Sequence, residues 1–582
     1  MRIKISKSKN TTNYYIIKDY TKNGKRSTVI VDKIGNKEKI TELADKEKIT
    51  NEDWLKNYLE SYKKENCIKK EIITISKDAS KLIPKNQNKL FNIGYLFLKS
   101  IYYDLKLNEI CNEITEKFKF KFDLNEVLSN LVYSRIIYPS SKLKTHELSK
   151  KFIEIPDIDL NNMYRSLSYL TKETDFIQKK LFENSLKIMD RNSKVIYFDC
   201  TNYYFEIPNE NEFQKYGINK QHQPSPQVGM GLFMDGDGLP LAFNIYAGNE
   251  SETKQLIPTQ NKIIDNFKLP TSKLILCTDA AMCTDKIKKE NVKNGRGFVI
   301  TQSLKKMKKE YLEIALDPTE WRISSDKRNL YNIDEIQKDE KLLKKYKDIL
   351  FYKIINSETK SVKQDIIVTF SLKYKEYHNS LRQNQIERAQ NKIKNNNGKK
   401  IDMKINQNDF KRFITETSST NNGEVAEVFE YDINNDLIKE EEKFDGFYGL
   451  STNLINDIEV ILKVAKGRWE IEESFRIMKT DFKARPVNLS REDRIKGHFL
   501  TCYLSLLIYR ILEKKLNEEY TTTQILETIR NMNVFENTGH GYEPVYERTD
   551  LTDDLHNIFK IRTDTEIISY KNLKKFLEQL EQ

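Results

Sequence analysis

Three acids stand where phosphoryl chemistry can use them. Asp199 closes the apolar run Val195-Ile196-Tyr197-Phe198, and Asp279 follows Leu274-Ile275-Leu276-Cys277-Thr278. An acid that ends a buried strand falls on the edge where an open α/β sheet binds its ligands. Two carboxylates on neighbouring strand ends can share a divalent metal, and their hard oxygens suit Mg2+. The third acid lies in "GRWEIEESFRIMK", Gly467 to Lys479, which reads as a helix. Counting 100° per residue from Arg468, Glu472 lies at about 40° and Lys479 at about 20°, whereas Glu473 lies at about 140° and Glu470 at about 200°. That phase groups Arg468, Glu472 and Lys479 on one face and selects Glu472 as the third metal carboxylate. The competing readings are strand-end turn residues for the two aspartates and a surface ion pair, worth about 0.2–0.5 kcal/mol, for Glu472.

The elements that must position these acids follow one another in an informative order. "KVIYFDC" is a short strand. "PQVGMGLFMDGDGLPLAFNIYAG" is two strands around a "DGDG" turn. "SETKQLIPTQNKIIDNFK" is helical at its ends and carries Pro258 inside. "SKLILCTDA" is a buried strand, "CTDKIKKENVKN" a helix and "GFVITQSL" a strand. Three antiparallel strands followed by helix, strand, helix, strand is the order of a ribonuclease-H-like α/β core. Residues 305–443 interrupt it with short strands ("DILFYKII", "KQDIIVTFSL") and a basic helix from Lys375. "FDGFYGLST" then returns to the core. Ahead of the core, "NYYIIKDY" and "RSTVIVDKIG" flank Asn23-Gly24 and read as a β-hairpin. Residues 40–190 read as mostly helical, with Asp123 as an N-cap and Pro139 as a stop.

The expected division is 1–95, a basic hairpin and linker region, then 96–190, helical, as a scaffold or a DNA-binding arm. Residues 191–304 form the first part of the core, 305–443 a β-rich insertion, 444–515 the second part of the core with the catalytic helix, and 516–582 a C-terminal region.

Composition narrows the partners. The chain has 582 residues, 98 Lys and Arg against 86 Asp and Glu, a net charge of +12 and a pI near 8.9. This excess suits a polyanionic partner. Residues 1–36 carry nine basic side chains against Asp19 and Asp32. The six cysteines form no CxxC and no zinc-finger spacing, which points to a reduced, cytosolic protein. "MRIKISKSKN" lacks the apolar core of a signal peptide, and the apolar stretch around residues 498–512 is too short and interrupted to span a membrane. No Ser/His/Asp or Cys/His constellation is visible. His498 reads as structural or as a phosphate contact.

The motifs together resemble the DDE transposases of bacterial insertion sequences, in the large group with a β-rich insertion before the glutamate. Their signature helix reads Tyr-x2-Arg-x3-Glu-x6-Lys. Arg468-x3-Glu472-x6-Lys479 fits it, and Ala465 stands at the tyrosine position. "YFDCTNYYFE", "CTDAAM", "GLPLAFNIYAGNESE", "FDGFYGLSTN" and "ARPVNLSREDRIKGH" extend the likeness over roughly residues 190–510.

The resemblance implies that Asp199, Asp279 and Glu472 hold two Mg2+ ions, for which Mn2+ can substitute, and that DNA is nicked at the element ends and joined to target DNA. It implies double-stranded DNA as partner (terminal inverted repeats and target), a homodimer in the DNA complex, and a cytoplasmic, nucleoid-associated protein. Arg468 and Lys479 would hold phosphates near the cut, with Arg476, Arg485, Arg491 and Arg494 as further contacts. Trp321, the only tryptophan of the insertion, is a candidate for stacking on a flipped base, with a core role as the plainer reading. The alternatives are a DNA-binding protein whose nuclease has decayed, and a ribonuclease-H-like nuclease without transposition.

Overall fold

The apolar and β-branched runs of the sequence become strands in two separate units, residues 1–85 and 86–582. A computed structural model describes the chain apart from residues 8–11, 23–24, 67–71, 84, 218–224, 359–361, 397–400, 403–408, 417–429, 456 and 582. In the first unit, β1 (Arg2–Lys7), β2 (Thr12–Lys22) and β3 (Lys25–Asn36) form an antiparallel sheet in the order β1-β2-β3. The Asn23-Gly24 turn lies outside the described residues. Asn36 caps the helix Lys37–Glu47 by accepting from the Lys39 N–H at 3.0 Å. Ile16, Ile34, Ile40, Ala44, Trp54 and Leu55 make this unit's small core.

The second unit begins with β4 (Leu90–Asn92) and a set of helices, Tyr95–Asp104 to Thr174–Ile188. Asp123 caps the helix Leu124–Ile137, its side chain accepting from the Glu126 N–H. The main sheet follows: β5 (Val195–Tyr204), β6 (Gln227–Asp235), β7 (Pro240–Ala247), β8 (Ile275–Thr278) and β9 (Gly297–Gln302). Residues 305–443 add β10 (Trp321–Ile323), β11 (Asp326–Tyr331), β12 (Leu350–Glu358) and β13 (Lys363–Ser371), and a separate ladder of β14 (Ile414–Glu416) and β15 (Tyr431–Ile433). β16 (Phe447–Thr452) pairs with β9 on one side and β13 on the other. One ten-stranded sheet results, in the order β7-β6-β5-β8-β9-β16-β13-β12-β10-β11. β5, β6 and β7 are antiparallel, and β8 and β9 run parallel to β5. The C-terminal strands β17 (Asn533–Asn537) and β18 (Gly541–Pro544) pair with β4 in a small sheet.

Side chains alternate across β5. Ile196, Phe198 and Cys200 face a core shared with the helices Glu252–Phe267 and Asp285–Lys293. Tyr197 and Tyr203 face a larger core built on the helix Glu492–Lys515. That helix is long and apolar, and it is buried nearly all round inside this unit, as suits a helix without a polar face. The helix Glu252–Phe267 is continuous through Pro258 rather than helical only at its ends.

Candidate active site

Asp199 and Asp279 lie side by side. β5 and β8 are paired in parallel register, with Phe198 opposite Thr278, so the two acids are the next residue on each strand. The expectation that Asp199 ends its strand needs correction. β8 stops at Thr278, but β5 continues through Thr201-Asn202-Tyr203-Tyr204, paired with β6 alone. Tyr203 is fully buried, and that burial carries the strand onward. Asp199 therefore sits where the parallel ladder ends, not where its own strand ends.

Asp279 is held from below by backbone. Its carboxylate accepts from the N–H groups of Ala281 (3.1 Å) and Met282 (3.3 Å) in the short turn that follows. Among the described residues no Lys or Arg pairs with it. The Oδ1 of Asp199 accepts from the N–H of Cys200 at 2.8 Å. Burial pushes the Cys200 thiol well above its ordinary pKa, and the charges of Glu252, Asp199 and Asp279 raise it further. Glu252, which the sequence reading did not single out, thus lies within electrostatic reach of the same cysteine as the two aspartates. It lies within the quoted "GNESE" stretch, at the first residue of the helix Glu252–Phe267.

The signature stretch crosses the Tyr197–Asp199–Thr201–Tyr203 face of β5 as two helices, Ile458–Gly467 and Trp469–Arg476, bent at Arg468. The bend needs Gly467, where a Cβ would come within 2.2 Å of the Tyr197 hydroxyl. Three acids of the second helix then go to three environments. Glu470 is turned inward onto the buried guanidinium of Arg510, which also binds Glu513 at 2.5 Å. Burial pushes the Glu470 carboxyl up against the pull of Arg510. Glu473 pairs with Arg476 at 2.6 Å, and that hydrogen bond holds its carboxyl below the usual range. Glu472 is exposed and meets Arg468 at 2.8 Å. Burial works against the charge of Arg468, but Glu472, Tyr448, Asp199 and Cys277 together keep it protonated. Arg468 is thus ion-paired to Glu472 and within electrostatic reach of Asp199.

Lys479 reaches the same strand by an unexpected route. Residues Ile477–Asp481 form a π-turn rather than α-helix, so the 100° count fails beyond Arg476. The Lys479 ammonium nonetheless donates to Thr201 Oγ1 and lies 5.5 Å above the Tyr203 ring. Arg485 lies 5.0 Å above Tyr204. The other proposed basic contacts are placed differently. Arg476 is bound by Glu473 and Asp481, and Arg491 by Asp493. Arg494 stacks over Tyr164. None of these three contacts the carboxylate group.

Trp321 is also corrected as a stacking candidate. It is fully buried between Phe370 and Phe447, below Lys353, and its Nε1–H donates to Asp317 O at 2.8 Å. Neither face is open to a base. Among the described residues, the exposed rings of the insertion are elsewhere, on the helix Leu372–Lys394, where Tyr374 and Tyr377 stack on each other and Tyr374 lies against the half-buried His378. The Tyr374 hydroxyl is raised first by burial and also by Tyr448, Tyr377 and Glu472, so this end of the helix is within electrostatic reach of the signature glutamate. Arg382 anchors the same helix through a buried pair with Asp445.

The donor set fits a hard cation. Asp199, Asp279 and Glu472 offer only carboxylate oxygens, the chemistry that Mg2+ selects. Their oxygens do not all lie within 4.8 Å of one another. The trio among the described residues that does, Asp553, His556 and Asp564, is covered by Arg548 and Arg562 and reads as an ion network.

A family model described as a transposase DDE domain matches residues 198–508, or 311 of the 582. The chain belongs to this family. Among solved structures it is similar to a piggyBac transposase seen by cryo-EM as a synaptic complex with hairpin DNA, at 7% identity over 84% of each chain with a TM-score of 0.35. No curated protein matches it. Membership of the DDE transposases places the chain among enzymes of DNA transposition, nucleases and strand transferases. The matched span opens one residue before Asp199, takes in Asp279 and Glu472, and closes inside the buried helix Glu492–Lys515.

Proposed function

We propose that this chain is the cut-and-paste transposase of a bacterial insertion sequence. It binds the element's terminal inverted repeats, cuts the DNA by metal-dependent phosphoryl transfer and joins the 3′ ends to target DNA. The observation that carries the reading is the pairing of Asp199 with Asp279 at the end of the β5–β8 ladder, with Glu472 ion-paired to Arg468, which is within electrostatic reach of Asp199. The order β7-β6-β5-β8-β9, with only the first three strands antiparallel, supports a ribonuclease-H-like core for residues 191–304.

Asp199, Asp279 and Glu472 would hold Mg2+, or Mn2+ in its place, in two sites. When bound, the metal supplies a Lewis acid for the scissile phosphate and a nucleophilic oxygen at neutral pH. The chain's own cations do the positioning. Arg468, kept charged beside Asp199, binds a phosphate oxygen with a planar pair of donors. Lys479 sits two residues farther along the same face of β5 and holds the next phosphate as a point charge. Tyr374, within electrostatic reach of Glu472, and Tyr377 offer exposed stacking faces for an unpaired base in the place first considered for Trp321. Two DNA ends must be held together, so a homodimer on DNA is the working assembly, and a DNA substrate places the protein on the nucleoid in the cytoplasm.

The test is cleavage of DNA carrying the element's own ends, which can be read from the sequence flanking the gene. Wild type cuts with Mg2+, and Glu472→Gln binds without cutting. If neither cuts and both bind, the decayed DNA-binding reading replaces this one.

A further inference from the structure

A cavity of about 140 Å3 opens between the segment Pro139–Lys142 and residues Lys483–Leu489. That is well above the ~15 Å3 a single water needs. Arg135, Lys142, Lys483, Arg485 and His498 line it, and no acid does. Two of the cations are buried, Arg135 at 3% and Lys142 at 4% exposed. Among the described residues no carboxylate pairs with either. Arg135 spends one nitrogen, Nη1, on the carbonyls of Phe482 (3.1 Å) and Lys483 (3.3 Å), while its Nε has no partner.

The histidine fixes the direction of the remaining donors. His498 Nε2 lies 3.0 Å from the carbonyl oxygen of Ala484, which only accepts, so Nε2 carries the hydrogen and Nδ1 keeps its lone pair. Lys142 donates to that lone pair at 3.3 Å. An ammonium has three N–H groups, so two are left for a ligand. Burying a cation costs several kcal/mol unless an anion accompanies it. Burial first, and then Arg135, pull the Lys142 ammonium down to about 7, and burial with the same neighbours keeps His498 neutral. The cavity is thus short of one negative charge with several oxygen acceptors.

Its position says where that charge comes from. Arg468 lies beside Asp199, Lys479 at Thr201 and Tyr203, and Arg485 over Tyr204. Arg485 also lines the cavity. From Asp199 to Tyr204 is five residues of strand, roughly 17 Å, which matches the rise of about five nucleotides at ~3.4 Å each. A row of cations therefore runs along β5 and ends at the cavity.

We propose that this cavity binds a backbone phosphodiester of the element-end DNA about five nucleotides from the bond that is cut. The inference rests on the DNA-cutting reading above. The shared chemistry is a phosphate group, so a small inorganic anion is the other source.

The experiment has two arms on the full chain. In the first, element-end duplexes carrying one neutral methylphosphonate linkage at each position in turn are titrated against wild type, Lys142→Met and Lys483→Gln. One linkage near the fifth nucleotide is expected to weaken wild type about tenfold and to cost Lys142→Met nothing further. In the second, inorganic phosphate is titrated while melting is followed. If every linkage affects all three proteins alike, and phosphate raises the melting temperature of wild type but not of Lys142→Met, the cavity holds a small anion and the DNA contact is wrong. If neither arm separates the variants from wild type, the site itself is wrong. A failure of the DNA-cutting reading looks different: element ends are not bound or not cut, whatever phosphate does. Lys142→Met removes a buried cation without an acidic partner, so it is expected to melt no lower than wild type. Lys483 is exposed, so Lys483→Gln keeps the test open should the first variant not fold.

Discussion

Glu470 and Glu472 differ by two positions on one helix, and the structure gives them opposite work. Arg510 is 2% exposed and depends on two carboxylates, Glu470 and Glu513. Changing Glu470 to Gln leaves a buried guanidinium with one charged partner. Removing one side of a buried pair costs about 3–5 kcal/mol, and losing one hydrogen bond to a charged group about 1.5–3 kcal/mol. Glu513 remains and the amide still accepts a bond, so the loss falls near the lower figure, about 2 kcal/mol. That is roughly a thirtyfold shift toward unfolding. Glu472 is 56% exposed at its side chain, so water reaches its pair with the 21%-exposed Arg468 and the pair is worth about 1 kcal/mol or less. Glu472→Gln should therefore melt with wild type yet lose DNA cleavage by about 10³-fold or more. The assay pairs thermal and urea unfolding with cleavage of element-end DNA for both variants. If Glu470→Gln kept wild-type stability and lost cleavage, while Glu472→Gln did the reverse, the helix would have been read in the wrong phase and the catalytic assignment would pass to Glu470.

Four further outcomes are expected. Asp279→Asn should keep the fold, since its capping oxygen can still accept from Ala281 and Met282, but should abolish cleavage, as should a chelator added to wild type; readdition of Mg2+ should rescue only the wild type. Trp321→Ala should destabilise by about 3–5 kcal/mol on chemical unfolding, whereas Tyr377→Ala should leave stability within ~0.5 kcal/mol and alter base reactivity at the cut end; an unchanged base pattern removes the stacking role. Asp445→Asn, which leaves Arg382, 6% exposed, with Glu442 at 3.9 Å as its remaining charged partner, should cost about 1.5–3 kcal/mol and loosen the helix Leu372–Lys394 in hydrogen exchange. His556 is buried and burial pulls its pKa from 6.5 down to about 4. The unfolded chain then binds the extra proton first, so roughly 3 kcal/mol of stability, present above pH ~6.5, drains away as the pH falls toward 4. A His556→Gln variant should show a flatter acid limb, and an unchanged limb would assign the acid sensitivity to other groups.

What could be read in the sequence and what could not divide along physical lines. The runs before Asp199 and Asp279 were legible because a strand buried on both faces must be apolar along its whole length, and the acid that breaks the run marks where packing stops. The meeting of Glu472 with Arg468 was legible because α-helical phase is rigid over one turn. Lys479 was placed on the right face by a count that does not hold there, because the π-turn at Ile477–Asp481 shifts the phase and the long side chain absorbs the difference. The extension of β5 past Asp199 was not legible, since Thr201-Asn202-Tyr203-Tyr204 is polar in pattern and is held by Tyr203 packing against Phe499, almost 300 residues on. The same holds for Trp321, whose composition fits a core or a stacking platform equally and whose neighbours decide.

The cavity at Lys142 is the extreme case. Its residues come from positions 135–142 and 483–498, and each alone reads as a solvated base. Only the fold brings Arg135 and Lys142 together out of water with a neutral histidine and no acid. Periodicity reports which face is buried, but it carries no information on whether a buried charge has found its partner inside the chain. Where it has, as in Arg510 with Glu470 and Glu513, the pair locks the helix Trp469–Arg476 to the helix Glu492–Lys515. Where it has not, the missing charge must come from outside, and along β5 the outside partner that supplies charge at regular spacing is a nucleic-acid backbone.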